Sequence, residues 1–69
     1  MLETSPSLMT VYFAFERETK GTWRYRETND SGEFSDLGGG ASIGILYIRK
    51  SALRSPPRAI VVTIQDQGQ

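Results

Sequence analysis

The sequence contains no cysteine and no histidine. The absence of cysteine excludes disulfide bonds, and the absence of both residue types removes the ligands that zinc sites in proteins use most. No cysteine nucleophile and no histidine base are present either, so we expect no catalytic residues, no metal site and no cofactor. The 69 residues provide one domain only. Small domains that lack disulfide bonds and structural metals are often stabilised by a second subunit. We therefore expect a homodimer.

Long apolar runs and an excess of either charge are also absent. No stretch approaches the ~20 apolar residues that a membrane-spanning helix needs, and the N-terminus lacks the pattern of a signal peptide. We therefore expect no membrane association and a cytoplasmic location. Eight Lys and Arg residues balance eight Asp and Glu residues, which argues against a generic nucleic-acid binder.

What the chain does have is alternation of apolar and polar residues, the period of a β-strand. This alternation predicts strands over residues 9–18, 22–28, 42–50 and 59–65. Between the last two strands, Ser51 caps a single predicted helical turn. The sequence therefore predicts an all-β domain over 9–66, a four-stranded antiparallel sheet or small barrel made of two hairpin-like halves. A loose arm is predicted at 1–8 and a polar tail at 67–69.

The turn at residues 19–21 sets the register of the first hairpin. A two-residue turn places like charges opposite each other and points the aromatic faces of the two strands apart. A three-residue turn with Gly21 in the left-handed conformation places Phe15 opposite Tyr25 and Arg17 against Trp23. We therefore predict the three-residue turn, which gathers the apolar residues of both strands on one core face: Val11, Phe13, Phe15, Trp23 and Tyr25.

Residues 29–41 are predicted to form a flexible loop, because they include four glycines, two serines and three acids. The acids Asp30, Glu33 and Asp36 offer oxygen ligands for a hard cation, but their spacing matches no EF-hand. A solvated acidic loop is the better interpretation. Lys50 and Ser51 are adjacent, and we interpret them as a strand end and a helix cap rather than a catalytic Ser–Lys dyad.

The third predicted strand is apolar on both faces, with Ile45 and Tyr47 on one face and Leu46 and Ile48 on the other. A strand of this kind is either central in its sheet or covered by a partner. We expect the second subunit to cover it. The predicted dimer interface consists of Leu46, Ile48 and Val61.

Basic residues concentrate in the second strand and from the end of the third strand onward, with two tyrosines nearby. Nucleic-acid-binding modules pair such charges with exposed aromatic rings. The candidate nucleic-acid-binding residues are Arg24, Arg26, Arg49, Lys50, Arg54, Arg58, Tyr12 and Tyr47. The alternative is a charge-paired strand face, in which Glu16 neutralises Arg24. We expect a small non-catalytic binding or interaction module with a protein partner, and nucleic-acid binding is the alternative.

Three stretches carry a resemblance: ETKGTWRYRE (18–27), IGILYIRKSAL (43–53) and VVTI (61–64). They make the chain similar to a group of short bacterial all-β proteins whose function is unknown. The resemblance covers about half of the chain and implies a compact β domain, but no activity. The order of YIRKSALRS and IVVTI also resembles the swapped-hairpin DNA-binding dimers of the AbrB type, although SPPR replaces their Gly-Asp turn.

Overall fold

The computed structural model describes residues 7–67 of the chain. In this range it has four β-strands and no helix, which confirms the all-β prediction. The strands are β1 (Ser7–Glu18), β2 (Thr22–Thr28), β3 (Ile45–Arg49) and β4 (Ala59–Gln65). Residues 7 and 8, predicted to belong to the arm, are part of β1. The rest of the predicted arm and residues 68–69 of the tail lie outside the described residues.

The four strands form one antiparallel sheet in the order β3-β2-β1-β4, curled into a half-barrel. The predicted four-stranded antiparallel sheet is therefore confirmed. However, β3 and β4 lie at opposite edges and do not pair, so the prediction of a second hairpin-like half is wrong. The connection between them cannot be a tight turn, because it must reach from one edge of the sheet to the other.

The segment 50–58 makes this connection by crossing the concave face of the sheet. The indole Nε1 of Trp23 donates a hydrogen bond to the carbonyl oxygen of Leu53 at 2.9 Å, and the hydroxyl of Tyr25 donates to the carbonyl oxygen of Pro57 at 2.8 Å. The predicted helical turn is absent from this segment, which has a tight turn at residues 50–52 and then bends. The segment does not form a helical turn because the hydrogen bonds from Trp23 and Tyr25 hold its backbone in an irregular path across the sheet.

The core lies between the concave face and this crossing segment. Val11, Phe13 and Tyr25 are buried, as predicted. The partly buried residues that pack against them are Phe15, Trp23, Leu46, Ile48, Ile60 and Val62. The ring of Phe15 meets Tyr25 edge to face, with 5.7 Å between the ring centroids. The predicted aromatic core face is therefore confirmed.

The turn of the first hairpin differs from the prediction. Glu18 lies opposite Trp23, which is the register of a two-residue turn at Lys20 and Gly21. The backbone N–H of Thr19 donates to the carbonyl oxygen of Thr22 at 2.9 Å, and the hydroxyl of Thr19 accepts from the N–H of Thr22 at 3.0 Å. Gly21 does not have a positive φ. The predicted three-residue turn with a left-handed Gly21 is therefore wrong.

A β-bulge at Glu16 restores the alignment that the short turn would have lost. The register shifts between Phe15 and Arg17, so that Phe15 lies opposite Tyr25 as predicted, while Arg17 lies opposite Arg24. One extra residue in a strand reverses the face on which the side chains beyond it lie, relative to the partner strand. The aromatic faces therefore coincide although the turn has two residues.

The strand β3 begins at Ile45, later than the predicted residue 42. Gly44 has a φ of 98°, which interrupts the extended backbone just before the strand. The N–H of Glu27 donates to the carbonyl oxygen of Gly44 at 2.8 Å, so this kinked residue still pairs with β2. The prediction of alternating faces holds within β3: Leu46 lies opposite Tyr25 on the core face, and Tyr47 lies opposite Arg24 on the other face.

Candidate functional site: the convex face of the sheet

The convex face carries a connected row of five side chains, which we call the convex network: Tyr47, Arg24, Glu16, Arg26 and Phe34. Alternation along β2 turns both arginines away from the core, and the antiparallel register brings Tyr47 of β3 beside Arg24. Alternation along β1 places Glu16 on the same face, because Phe13 and Phe15 point into the core. Three strands and one loop residue therefore meet in a single row.

At one end of the convex network, Arg24 is held between an acid and an aromatic ring. Its Nε donates to Oε1 of Glu16 at 2.7 Å, and its Nη1 donates to the hydroxyl of Tyr47 at 3.2 Å. The guanidinium carbon lies 5.8 Å from the centroid of the Tyr47 ring. These contacts confirm the predicted Glu16–Arg24 ion pair and fix the position of Arg24 on the sheet.

At the other end, Arg26 bridges the sheet and the loop that follows β2. Its Nη2 donates to the carbonyl oxygen of Ser35 at 3.2 Å, and its guanidinium carbon lies 4.9 Å from the centroid of the Phe34 ring. Nη1 is 3.9 Å from Oε2 of Glu16. Among the described residues, the buried Nε of Arg26 has no hydrogen-bond partner. Glu16 is thus shared between two arginines, and the network carries a net positive charge.

The aromatic members of this face are more exposed than the charged ones. Tyr47 is 55% exposed, Phe34 is 46% exposed, and Tyr12, farther along β1, is 51% exposed. The side chains of Arg24 and Arg26 are only 21% and 28% exposed. The convex face therefore presents aromatic rings to the solvent, with less exposed guanidinium groups between them.

The structure does not bring together all of the predicted nucleic-acid-binding residues. Arg24, Arg26, Tyr47 and Tyr12 share the convex face, and Arg49 has the same outward register as Tyr47 in β3. The other three residues belong to the segment that crosses the concave face: Lys50, Arg54 and Arg58.

Lys50 has a structural role on that opposite face. Its Nζ pairs with the carboxylate of Glu18 and lies 4.9 Å from the centroid of the Trp23 ring. The predicted stacking of Arg17 on Trp23 is therefore wrong, because the two-residue turn places Glu18 rather than Arg17 opposite Trp23. Lys50, rather than Arg17, makes the cation–π contact with the indole of Trp23.

The three residues of the predicted dimer interface also lie apart. Leu46 and Ile48 are on the core face of β3 and pack against the buried cluster. Val61 is on the convex face of β4, opposite Tyr12 of β1 and at the other edge of the sheet. They do not form one continuous surface. Of the two alternatives for this strand, a central position is excluded, since β3 is an edge strand of this sheet.

Two residues that were not predicted to belong to a site make important contacts in the structure. Phe34 joins the convex network through a β-bridge between residues 28 and 34. Its only signal in the sequence is that it is a lone aromatic residue in a glycine-rich loop. The second is Glu27, which is 5% exposed at the end of β2.

The Glu27 carboxylate ties the long loop to the sheet. Oε1 accepts hydrogen bonds from the backbone N–H groups of Ser42, Ile43 and Gly44 at 2.9, 2.7 and 3.0 Å. Burial by itself raises the pKa of this carboxyl, but the three backbone donors outweigh it, so the pKa lies below its ordinary value. The carboxylate is therefore ionised at neutral pH and engaged by the backbone.

An open cleft of about 250 Å³ lies beside Glu27, where β1 extends beyond the end of β2. Its lining includes Thr10, Tyr12, Thr28, Asn29 and Asp30. Within residues 7–67, no group of three or more acidic side chains is arranged to hold a metal ion. The predicted loop acids Asp30 and Glu33 are exposed.

The chain matches no family model, no curated protein and no solved structure. Residues 7–67 contain no helix long and apolar enough to cross a membrane. What the protein does is therefore inferred from its own geometry.

Proposed function

We propose that the protein is a small non-catalytic binding module that docks a protein partner on the convex network. The observation that supports this most is the exposure of Tyr47 and Phe34 on either side of two immobilised arginines. Tyrosine, phenylalanine and arginine are enriched at the centres of protein interfaces, where they supply large contact areas at little cost in side-chain entropy. Here the entropy of the arginines is already restricted by Glu16.

The chemistry of the partner follows from the charge of the network. Two guanidinium groups share one carboxylate, so an acidic side chain of a partner would complete the neutralisation of Arg26, whose contact with Glu16 is the longer one at 3.9 Å. The exposed rings of Tyr47 and Phe34 favour apolar groups on either side of that acid. The expected partner segment therefore has a carboxylate flanked by apolar residues.

Selection of displayed random peptides on the immobilised full chain tests this proposal. We expect enriched peptides to combine an acid with apolar neighbours, and Tyr47→Ser to reduce their affinity at least about tenfold, the loss typical of an interface hot spot. The matched control is Tyr12→Ser, because Tyr12 is similarly exposed on the same face but lies outside the convex network. Equal affinity of all three proteins, or no enrichment at all, would contradict docking at this site.

Nucleic-acid binding is the second candidate, and one observation favours it. Arg49 is exposed and makes no ion pair among the described residues. It lies two residues after Tyr47 on the same face of β3, so an aromatic ring and a cation are neighbours there. Against it, the guanidinium groups of Arg24 and Arg26 are engaged by Glu16 and by Ser35. A titration with single-stranded DNA and RNA oligonucleotides, read by fluorescence anisotropy, separates the two candidates. Binding that weakens with salt would favour the nucleic acid.

A further inference from the structure

Among residues 7–67, the outer edge of β4 is a long strand edge that lacks the usual protection. Seven residues, Ala59–Gln65, form this strand, and they include no charge and no proline. Natural edge strands are usually short, charged, bulged or covered, because their exposed N–H and C=O groups can pair with another chain. A segment of this length, with high β-propensity and no charge, is an aggregation hazard unless something covers it.

The direction of the backbone groups follows from one hydrogen bond. The N–H of Phe15 donates to the carbonyl oxygen of Arg58 at 2.9 Å, so the backbone carbonyl of Arg58 points toward β1. Backbone groups of successive strand residues point to opposite sides. Val61 and Thr63 therefore point their N–H and C=O groups away from β1, and within residues 7–67 no strand pairs with that side.

The other edge of the sheet differs in each of these respects. The strand β3 has five residues, ends in Arg49 and is followed directly by Lys50. These charges are the ordinary device that prevents edge pairing. Of the two edges, only that of β4 is suited to pairing.

The sequence of β4 is complementary to itself when two copies run antiparallel. A two-fold axis through Val62 overlaps all seven residues and places Ile60 opposite Ile64 of the second copy, and Val61 opposite Thr63 of the second copy. The apolar residues Ile60 and Ile64 thus face each other across the axis, and each contact occurs twice, as in any isologous interface. In this register the outward groups of Val61 bond with those of Thr63 in the second copy.

The small size of the core also favours a second copy of the chain at this edge. Only three hydrophobic residues are buried in the described chain: Val11, Phe13 and Tyr25. Met9 and Ile64, which pair across β1 and β4, are each 36% exposed at the end of the core face. A second copy that continues the sheet would cover apolar surface next to them. Chains of this size are marginal as monomers.

We propose that two copies of this chain pair through β4 in that register, forming one eight-stranded antiparallel sheet. The convex networks of both copies then lie on the same side of the sheet. This dimer does not depend on the docking function proposed above, because Tyr47 lies at the opposite edge of each copy.

Light scattering after size-exclusion chromatography tests the dimer. We expect a mass twice the 7.7 kDa of the chain, falling to half of that value in Thr63→Lys. The matched control is Thr10→Lys, because Thr10 is exposed on the same face directly opposite Thr63 but is not at the outer edge. It should remain a dimer. A monomeric wild-type chain at all concentrations, or a Thr63→Lys variant with the mass and elution volume of the wild-type dimer, would overturn the proposal.

Cross-linking tests the register. Because the chain has no cysteine, Val62→Cys introduces a single thiol, and it would meet its own copy at the axis. Directly opposed residues in a non-hydrogen-bonded pair are close enough for a disulfide. We expect oxidised Val62→Cys to run as a covalent dimer and Thr63→Cys to remain a single chain. Preferential cross-linking of Thr63→Cys would overturn this register, and circular dichroism verifies that both variants are folded.

Discussion

Oε1 of Glu27 lies 2.7 Å from the backbone nitrogen of Ile43. The same carboxylate accepts from the N–H groups on both sides of Ile43, so three consecutive donors converge on one buried acid. Backbone donors that are buried without a partner are costly. The loop between β2 and β3 is therefore anchored by a charge on the strand that precedes it.

We predict that Glu27→Gln lowers the free energy of unfolding by about 1–3 kcal/mol, because an amide oxygen is a weaker acceptor and its NH₂ group faces N–H donors. Urea unfolding followed by circular dichroism measures the change. Glu33→Gln is the control, since Glu33 is an exposed acid of the same loop. Equal stability of both variants would show that the carboxylate does not anchor the loop.

The same carboxylate predicts a loss of stability in acid. The pKa of Glu27 is lower in the folded state than its ordinary value of 4.5, which also applies to the unfolded chain. Its contribution is therefore fully present above the unfolded pKa and is lost as the pH falls through the folded pKa. We expect the melting temperature to fall on acidification from neutral pH to about pH 3, and to fall less in Glu27→Gln. Parallel pH profiles of the two proteins would contradict this assignment.

Gly44, unlike Gly21, has a backbone conformation that favours glycine. Its φ of 98° lies in the region that other residues rarely adopt. We predict that Gly44→Ala lowers the free energy of unfolding by roughly 1–2 kcal/mol. Gly21→Ala should leave stability unchanged or raise it by up to about 1 kcal/mol, because Gly21 has no positive φ and no atom within 4 Å of an added Cβ. Thermal melts of both variants measure the difference, and the reverse order would contradict the structure.

The hairpin shows how far the sequence alone could predict this fold. The alternation of apolar and polar residues correctly predicts that Phe15 and Tyr25 share one face. Burying their aromatic side chains stabilises the hairpin more than any particular type of turn does. The predicted three-residue turn is wrong, because a bulge at Glu16 satisfies both the two-residue turn and the core. Period two cannot reveal a bulge, because the inserted residue interrupts the period itself.

The order of the strands was less predictable than the strands themselves. Pro56 and Pro57 indicate a break before β4, but not that the chain crosses the sheet there. That path depends on hydrogen bonds from Trp23 and Tyr25 to residues about thirty positions away. The convex network shows the same limit: strand alternation places Glu16 and Arg24 on one face, whereas Phe34 reaches Arg26 only through the fold of the loop.

The crossing segment should depend on the hydroxyl of Tyr25. Burial raises the pKa of this hydroxyl, so it stays protonated and donates to the carbonyl oxygen of Pro57. We predict that Tyr25→Phe costs about 0.5–1.5 kcal/mol. It should also speed hydrogen exchange at the N–H of Phe15, which bonds to the neighbouring Arg58. Tyr47→Phe, which removes an exposed hydroxyl, should not change exchange at Phe15.

Glu16 is the one acid of the convex network, and its carboxylate is shared by both arginines. Because Glu16 is partly exposed, we expect Glu16→Gln to change the free energy of unfolding by only about 0.2–1 kcal/mol. The variant should release the guanidinium groups of Arg24 and Arg26, and it should therefore bind single-stranded DNA more tightly than the wild type at low salt.

Glu18→Gln is the matched control for this measurement. It removes the same charge but from the Lys50 pair beside Trp23, away from the convex face. Anisotropy titrations of the three proteins across a range of salt distinguish a local from a general effect. A gain confined to Glu16→Gln would show that Glu16 keeps the two arginines from binding phosphates. An equal gain in both variants would mean that net charge alone controls binding, and that Glu16 has no such specific role.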